Sequence, residues 1–309
     1  MPALEVKNIT KIFGEIRAVD NASFDIPEGS IFGLIGRNGA GKTTTIRILM
    51  NIYLPNSGEI FFRGAPVGHE FRAKVGYLPE ERGLYKKMKV LETIMFFADL
   101  KGKKGKAVTE KAKEYLERFD LTNRINSKVA TLSKGNQQKV QFICTLIHDP
   151  DFIVLDEPFS GLDPINTNLL KDIILEKKRE GKVIIFSTHL MDYAEKLCDH
   201  VAMIHKGKII LNGNLGEIKK DFSKNNIRLI YDGDISFLND HPIVNHISDF
   251  GNSVGISLKN MDHTQDLLKL LIERDVKVIS FDSNDISLNE IFIDLAGSAP
   301  KEEFNFVKL

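Results

Sequence analysis

The chain has 309 residues, no tryptophan and only two cysteines, Cys144 and Cys198. These stand far apart and outside any C-x-x-C spacing, which excludes a disulfide framework and points to a reducing compartment. Net charge is absent too: 42 Lys and Arg balance 42 Asp and Glu. No global basic field draws nucleic acid, and no acidic tail suggests a solubilising arm. Long apolar runs are missing. "TIMFFA" and "KVIIFST" fall well short of the ~18 residues that cross a bilayer, so at a membrane another chain would do the crossing. The opening "MPALEVKNITKIFG" lacks the charged-then-apolar profile of a signal peptide. Low-complexity stretches and internal repeats are also lacking.

What is present is an ordinary globular balance, 42% hydrophobic and 27% charged, long enough for one large domain and a smaller one. "ALEVKNITKIF" and "ASFDIPEGSIFGLIG" read as short strands leading into a buried one, "IFGLI" at 31–35. A helical pattern, "TTTIRILMNIY", follows and ends at "PNSG". Further buried strands are expected at 74–78, 152–156 and 183–188, with helices between them, which predicts an α/β layered sheet with parallel strands. Residues 85–150 break the alternation. "VLETIMFFADL", "TEKAKEYLERFDL" and "QQKVQFICTLI" all carry helical spacing with no intervening strand, as a helical insert would. The lysine-rich "KGKKGK" at 101–106 reads as solvated surface. "HVAMIHKGKIILNG" at 200–213 looks like a closing hairpin. Beyond 215–226 the character changes to a compact α+β unit, giving expected domains of 1–220 and 221–309.

"GRNGAGKTT" fits G-x-x-x-x-G-K-[ST] between a buried strand and a helix, the context that this phosphate-binding loop requires. Gly36, Arg37, Asn38, Gly39, Ala40 and Gly41 let the backbone wrap phosphates, with Lys42, Thr43 and Thr44 opening the helix behind them. Lys42 supplies a cation to the β- and γ-phosphates of a nucleoside triphosphate, and Thr43 a hydroxyl to Mg²⁺. "FIVLDEP" carries Asp156 to the C-terminal end of a strand, where open sheets bind ligands. Asp156 is expected to hold Mg²⁺ through water, and Glu157 to act as base on the attacking water. His189, after the next strand, is placed to hydrogen-bond the γ-phosphate. "LSKGN" at 132–136 is a second, distant anion reader, a Ser/Gly turn that opens a helix.

The ordered series of phosphate loop, "LSKGN", "VLDEP", "SGLDP" and "FSTH" resembles the ATP-binding subunit of ABC transporters over about residues 3–215. The resemblance implies a P-loop NTPase (ABC ATPase) domain of α/β class, with an antiparallel β subdomain and a helical insert, plus a small α+β C-terminal domain. It also implies that Ser133 and Gly135 complete the nucleotide site of a second, head-to-tail subunit, a homodimer or a heterodimer. Phe13 corresponds to the aromatic that stacks on adenine, where a core phenylalanine is the rival reading. Asp163 corresponds to the loop that links the two sites, and a turn residue before Pro164 is its plainer role.

Two departures stand out. Lys134 and Asn136 replace the usual glycine and glutamine of L-S-G-G-Q. Glu80 stands where the family usually has glutamine near Mg²⁺, so it is either a metal neighbour or a solvent-facing loop residue. "YLPEERGLY", "LSKGN" and "SLNEIFIDLAG" together resemble the branch that partners ABC-2-type membrane subunits, sodium-extrusion and antibiotic-efflux ATPases among them. What the resemblance implies is an ATP-hydrolysing motor, cytoplasmic and peripheral on the inner face of the cell membrane, driving a separate membrane-spanning permease in export. The alternative is a soluble ABC ATPase acting on DNA or ribosomes. No nucleic-acid partner is expected.

Overall fold

The computed structural model describes residues 2–81, 83–223, 226–251, 253–282 and 286–297. The chain divides into two compact units, 1–212 and 213–309. In the first, β1 (Pro2–Phe13), β2 (Ile16–Pro27), β3 (Ile31–Ile35), α1 (Lys42–Leu49), β4 (Ser57–Phe62) and β5 (Ala65–Pro66) come in order. They are followed by α2 (His69–Lys74), β6 (Val75–Leu78), α3 (Val90–Leu100), α4 (Lys106–Arg118) and α5 (Lys134–Leu146). Next are β7 (Phe152–Asp156), α6 (Pro164–Arg179), β8 (Val183–Thr188), α7 (Met191–Leu197), β9 (His200–His205) and β10 (Lys208–Asn214).

A six-stranded sheet in the order β10-β9-β3-β8-β7-β6 forms the centre of this unit, and β9, β3, β8, β7 and β6 pair in parallel. Strands β3, β7 and β8 are buried along their whole length. That explains their unbroken apolar runs, since a parallel sheet is covered on both faces. The C-terminal ends of β3, β7 and β8 lie in register, pairing Ile35 with Thr188 and Asp156 with Ser187. The glycine loop, the acidic pair and His189 all leave the sheet at this edge.

A second, antiparallel sheet, β2-β1-β4-β5, packs its apolar side into the same core, with Leu4, Val6, Phe24 and Ile60 beside Phe32 and Phe152. The short strands expected at the start are two strands of twelve residues each. Register shifts and the left-handed residues Asn8 and Asn21 interrupt their alternation, and such bulges conceal a long hairpin from a period-two reading. β4 had no sequence expectation. The region expected to be a closing hairpin holds β9 and β10 side by side at the edge of the main sheet, where β9 also pairs with β3.

The helical insert consists of α3, α4 and α5. Their buried faces carry Ile94 and Ala98, Ala112 and Leu116, and Phe142 and Ile143. Ser133 caps α5 by accepting the Asn136 N–H at 3.3 Å. Asp163 caps α6 by accepting the Asn166 N–H at 2.9 Å, with Pro164 in the first turn, the residue pattern that starts helices.

The second unit comprises α8 (Leu215–Ser223), β11 (Asn226–Asp232), β12 (Val244–Asp249), β13 (Val254–Leu258), α9 (Thr264–Glu273), β14 (Lys277–Asp282) and α10 (Leu288–Gly297). Its antiparallel sheet runs β12-β13-β11-β14. One face packs Ile227, Leu229, Ile256 and Leu258 against Leu267 and Leu271 of α9. The division falls ahead of the expected 220 because α8 packs against β11. α8 and β12 had no sequence expectation.

Candidate nucleotide site

The phosphate loop leaves β3 at Gly36, where a Cβ would lie 2.3 Å from the Ile204 carbonyl oxygen. At Gly41 φ is +111° and a Cβ would lie 2.4 Å from the Ala18 carbonyl oxygen. Both positions demand glycine for the loop to pass this close to its neighbours. The turn between β9 and β10 ties the loop down: Gly207 N–H donates to the Ala40 carbonyl at 2.9 Å, and Asp20 N–H donates to the Gly207 carbonyl at 2.8 Å. A cavity of about 440 Å³ opens over the loop, lined by Asn38, Gly39, Gly41, Lys42, Thr43 and Thr44, with Glu80 and Glu157 across from them.

Lys42 is buried and its Nζ donates to the Gly36 carbonyl at 2.9 Å and the Arg37 carbonyl at 3.2 Å. It also lies 3.3 Å from Glu157 Oε1. That oxygen has no directed hydrogen bond, so the contact is an ion pair by distance alone. Glu157 adopts a left-handed backbone at φ 48°, an uncommon conformation for a residue other than glycine. Its N–H donates to Ser187 Oγ at 3.1 Å, and its Oε2 lies 3.0 Å from His189 Nδ1.

Asp156 is fully buried. Its Oδ1 accepts from Ser187 Oγ and lies 3.4 Å from Thr43 Oγ1, while Oδ2 has no partner. Burial pushes its carboxyl pKa up against the hydrogen bonds from Ser187 and Thr43, and Glu80 and Glu157 add like charge. A buried carboxylate oxygen without a donor, next to a threonine hydroxyl, fits a hard divalent cation. Among the described residues no group of three or more His, Cys, Asp or Glu is placed to hold a metal. Mg²⁺ needs none where substrate phosphates and water complete its shell.

The other expected site residues lie apart. Ser133 and Asp163 are exposed, and neither they nor Gly135 line the cavity over the loop. Gly135 faces Gly161 and Leu162, with the Gly161 carbonyl oxygen 3.8 Å from where its Cβ would be. Phe13 is 43% exposed, sets its ring 5.4 Å from Tyr53 in an edge-on contact and is likewise not part of the cavity wall. Sequence reasoning missed Ser187, which touches both acidic residues. A hydroxyl residue inside an otherwise apolar strand was the available signal. It also missed Arg17 and Lys206, which line the cavity from the β2 strand and the β9–β10 turn. Neither has a distinctive neighbourhood in sequence.

Residues 19–160 match the family model described as "ABC transporter", and 213–296 match "ATP-binding protein DrrA1-3-like, C-terminal domain". An uncharacterized ABC transporter ATP-binding protein of Bacillus subtilis, YhaQ, is 41% identical over 96% of this chain and 99% of its own length. The chain belongs to the ABC transporter ATP-binding family. It is accordingly an ATPase of the ABC type, with the P-loop fold. The Nod factor export ATP-binding protein I of Cupriavidus metallidurans is 34% identical over 70% of this chain and 72% of its own. A solved ATP-binding subunit of an ABC transporter superposes with a TM-score of 0.66 at 31% identity, covering 71% of this chain and 93% of that one. None of these relatives supports an ATPase acting on DNA or ribosomes. Among the described residues no helix is long and apolar enough to cross a membrane.

Proposed function

We propose that this ABC ATPase is the motor subunit of a membrane exporter, peripheral on the inner face of the cell membrane and dimeric when two ATP molecules are bound. Residues 1–220 would act as the motor and 221–309 as an accessory domain. The observation that carries the dimer is the separation of the two anion readers: Ser133 and Gly135 do not line the cavity formed by Lys42 and Thr43 of the same chain. A second copy, docked head to tail, would bring its Ser133 to the γ-phosphate held here, and the start of its α5 would add a positive helix end. A homodimer and a heterodimer both satisfy this arrangement, with Asp163 near the junction of the two sites and Phe13 against the adenine. The export direction rests on the Nod factor relative, which is named as an export protein.

Within the site, backbone N–H groups of 38–44 would cradle the phosphates while Lys42 neutralises them. Thr43 and Asp156 would hold Mg²⁺, with Glu80 at the cavity wall. When bound, the ion supplies charge neutralisation to the β- and γ-oxygens. Glu157 takes a proton from the attacking water. His189, 3.0 Å from that carboxylate, would keep it aimed and would hydrogen-bond the γ-phosphate through its other ring nitrogen.

A surface suited to a permease lies on the helical insert. Tyr85, Phe96 and Phe97 form an aromatic cluster with centroids 5.2–6.3 Å apart, and Leu100 on the same helix is exposed. Apolar residues clustered at a surface mark interaction sites. The test is to purify tagged Glu157→Gln from gently solubilised membranes with ATP present. A stoichiometric multi-spanning protein is expected to come with it. Recovery of soluble partners or ribosomes alone would overturn the reading.

A further inference from the structure

Helix α5 carries three glutamines, and each directs its amide to backbone carbonyls of a different loop. Gln137 Nε2 donates to the Val129 and Leu132 carbonyls at 3.3 and 3.0 Å, just ahead of Ser133. Gln138 Nε2 donates to the Pro158 carbonyl at 3.2 Å. Gln141 Nε2 donates to the Pro79 carbonyl at 3.3 Å and to the Glu81 carbonyl at 3.2 Å. Gln138 and Gln141 are both buried, and their spacing of three puts them on one face of the helix. That face lies close on β6. The carbonyl oxygen of Thr145, on the same face, is 2.3 Å from where a Cβ of Gly76 would stand, so glycine in β6 permits the approach.

The loops held by Gln138 and Gln141 are the two that bring acidic residues to the nucleotide cavity. Glu80 sits between the two carbonyls that Gln141 grips, Glu157 directly precedes Pro158, and both line the cavity over the phosphate loop. Glu157 opens a turn in which the Ser160 N–H donates to its carbonyl at 3.2 Å. Ser187 takes the Glu157 N–H at 3.1 Å and Gln138 takes the carbonyl of the next residue, which fixes the left-handed backbone of Glu157 from both sides. Glu81 also faces Arg47 Nη2 at 3.8 Å, but its side chain is almost fully exposed, and such surface pairs contribute little. Gln141 Oε1 is buried without a partner. Turning the amide over would set that oxygen against two carbonyl oxygens, so both donors face the loop and one acceptor stays unsatisfied.

We propose that Gln138 and Gln141 are positioning residues of the ATPase site: they hang the loops of Glu157 and Glu80 on α5 and so set where both carboxylates stand over the nucleotide. The inference rests on the reading of Glu157 as the base. Misplacing a reacting group by about 1 Å can cost on the order of 100-fold in rate, so a single amide bond at each loop is enough to matter. Thr145 supplies the contrast on the same helix face. Its Oγ1 donates to the Tyr77 carbonyl at 3.4 Å and to the Gln141 carbonyl at 3.0 Å, and neither Tyr77 nor Gln141 adjoins in sequence a residue of the cavity wall.

Gln138→Met and Gln141→Met keep the length of the side chain and remove its donors, while Thr145→Val removes a buried hydroxyl and keeps its shape. Steady-state ATP hydrolysis, equilibrium dialysis of ATP and urea midpoints are measured on the full chain. Each methionine variant should lose kcat by about tenfold or more, with KM and ATP affinity within about twofold, the pattern of a disturbed chemical step with binding intact. Thr145→Val should lower the urea midpoint as they do and leave kcat within about twofold. Gln138→Glu and Gln141→Glu, which turn a carboxylate oxygen to the same carbonyls, should lose as much kcat and serve where a methionine variant does not bind ATP. The proposal is overturned by a kcat that falls equally in Thr145→Val or is unchanged in either methionine variant. A matching loss of ATP affinity, or loss of ATP binding in all four glutamine variants, would overturn it too. Glu157→Gln keeps the two readings apart. Hydrolysis retained there removes the base itself, whereas hydrolysis lost there and kept in Gln138→Met leaves the base and sinks the positioning role.

Discussion

Lys42 Nζ stands 3.3 Å from Glu157 Oε1, and both side chains are more than nine-tenths buried. The cation that should neutralise the phosphates and the carboxylate that should activate water thus touch each other. Glu157 in turn reaches His189 through its second oxygen. Three charged or titratable groups form one row at the C-terminal edge of β3, β7 and β8.

Glu157→Gln keeps the shape of that row and removes the proposed base. Phosphate release at steady state should fall by on the order of 100-fold or more, the usual share of general-base catalysis. Equilibrium dialysis should find ATP still bound. Equal losses in both would mean that Glu157 serves binding instead of the chemical step.

Lys42→Ala removes the cation that lies 3.3 Å from Glu157 and that is proposed to neutralise the phosphates. ATP affinity should drop by on the order of 100-fold, as for the loss of a strong charge-assisted contact. The nucleotide-free protein should also lose on the order of 2 kcal/mol, because Glu157 stays buried without its cation. The double variant Lys42→Ala/Glu157→Gln should regain most of that stability in urea unfolding. No recovery would mean that the ion pair adds little to the fold.

Ser187 joins the two acidic residues, accepting from the Glu157 N–H and donating to Asp156 Oδ1. Ser187→Ala leaves the Glu157 N–H buried without an acceptor, at a backbone φ of 48°. The expected result is a loss of about 1–3 kcal/mol in stability. A fall in kcat with little change in KM for ATP should accompany it, since the residue holds the proposed base and does not line the cavity.

These geometries separate what was legible in the chain from what was not. The loop at Gly36–Thr44 was readable because close backbone approach leaves no choice but glycine at two positions. The places of Asp156, Glu157 and His189 at strand ends were readable because "FIVL" and "VIIF" are apolar runs of the kind that a doubly covered strand carries. Ser187 showed only as a hydroxyl inside an otherwise apolar strand, and nothing in the spacing ties that hydroxyl to the two acidic residues it touches. β12 went unseen because one of its faces borders a polar cavity, so "VNHISD" lacks the apolar alternation of a strand packed on a core. Arg17 and Lys206 reach the nucleotide cavity through hairpin geometry, which spacing in sequence does not encode.

His148 gives a pH dependence of known sign. Its ring is buried beside β6, with Nε2–H 3.3 Å from the Val75 carbonyl and Nδ1 without a partner. Burial pushes its pKa down to about 4, helped by the positive charge of Lys101 and opposed by the hydrogen bond to Val75. The folded value therefore lies below the ordinary ~6.5 of an unfolded histidine. Neutral His148 contributes its full stability above about pH 6.5, and this is lost progressively as pH falls towards 4, by on the order of 3 kcal/mol. Urea midpoints should decline across that window and decline less in His148→Gln, which keeps the donor to Val75 and cannot take a proton. An unchanged slope in the variant would assign the acid sensitivity to the carboxylates instead.

Residues 1–214 carry the complete six-stranded sheet, including all of β10, and a core distinct from that of the second unit. Truncation after Asn214 removes α8 and everything beyond it, and breaks no strand pairing of the nucleotide site. The shortened chain should unfold cooperatively and bind ATP within about threefold of the full chain, a difference below ~1 kcal/mol. Circular dichroism and equilibrium dialysis on the two chains check both points. A truncated chain that is folded but binds ATP tenfold more weakly would show that the second unit acts on the nucleotide site. An unfolded one would show that the first unit does not stand alone, and would place the functional boundary beyond Asn214.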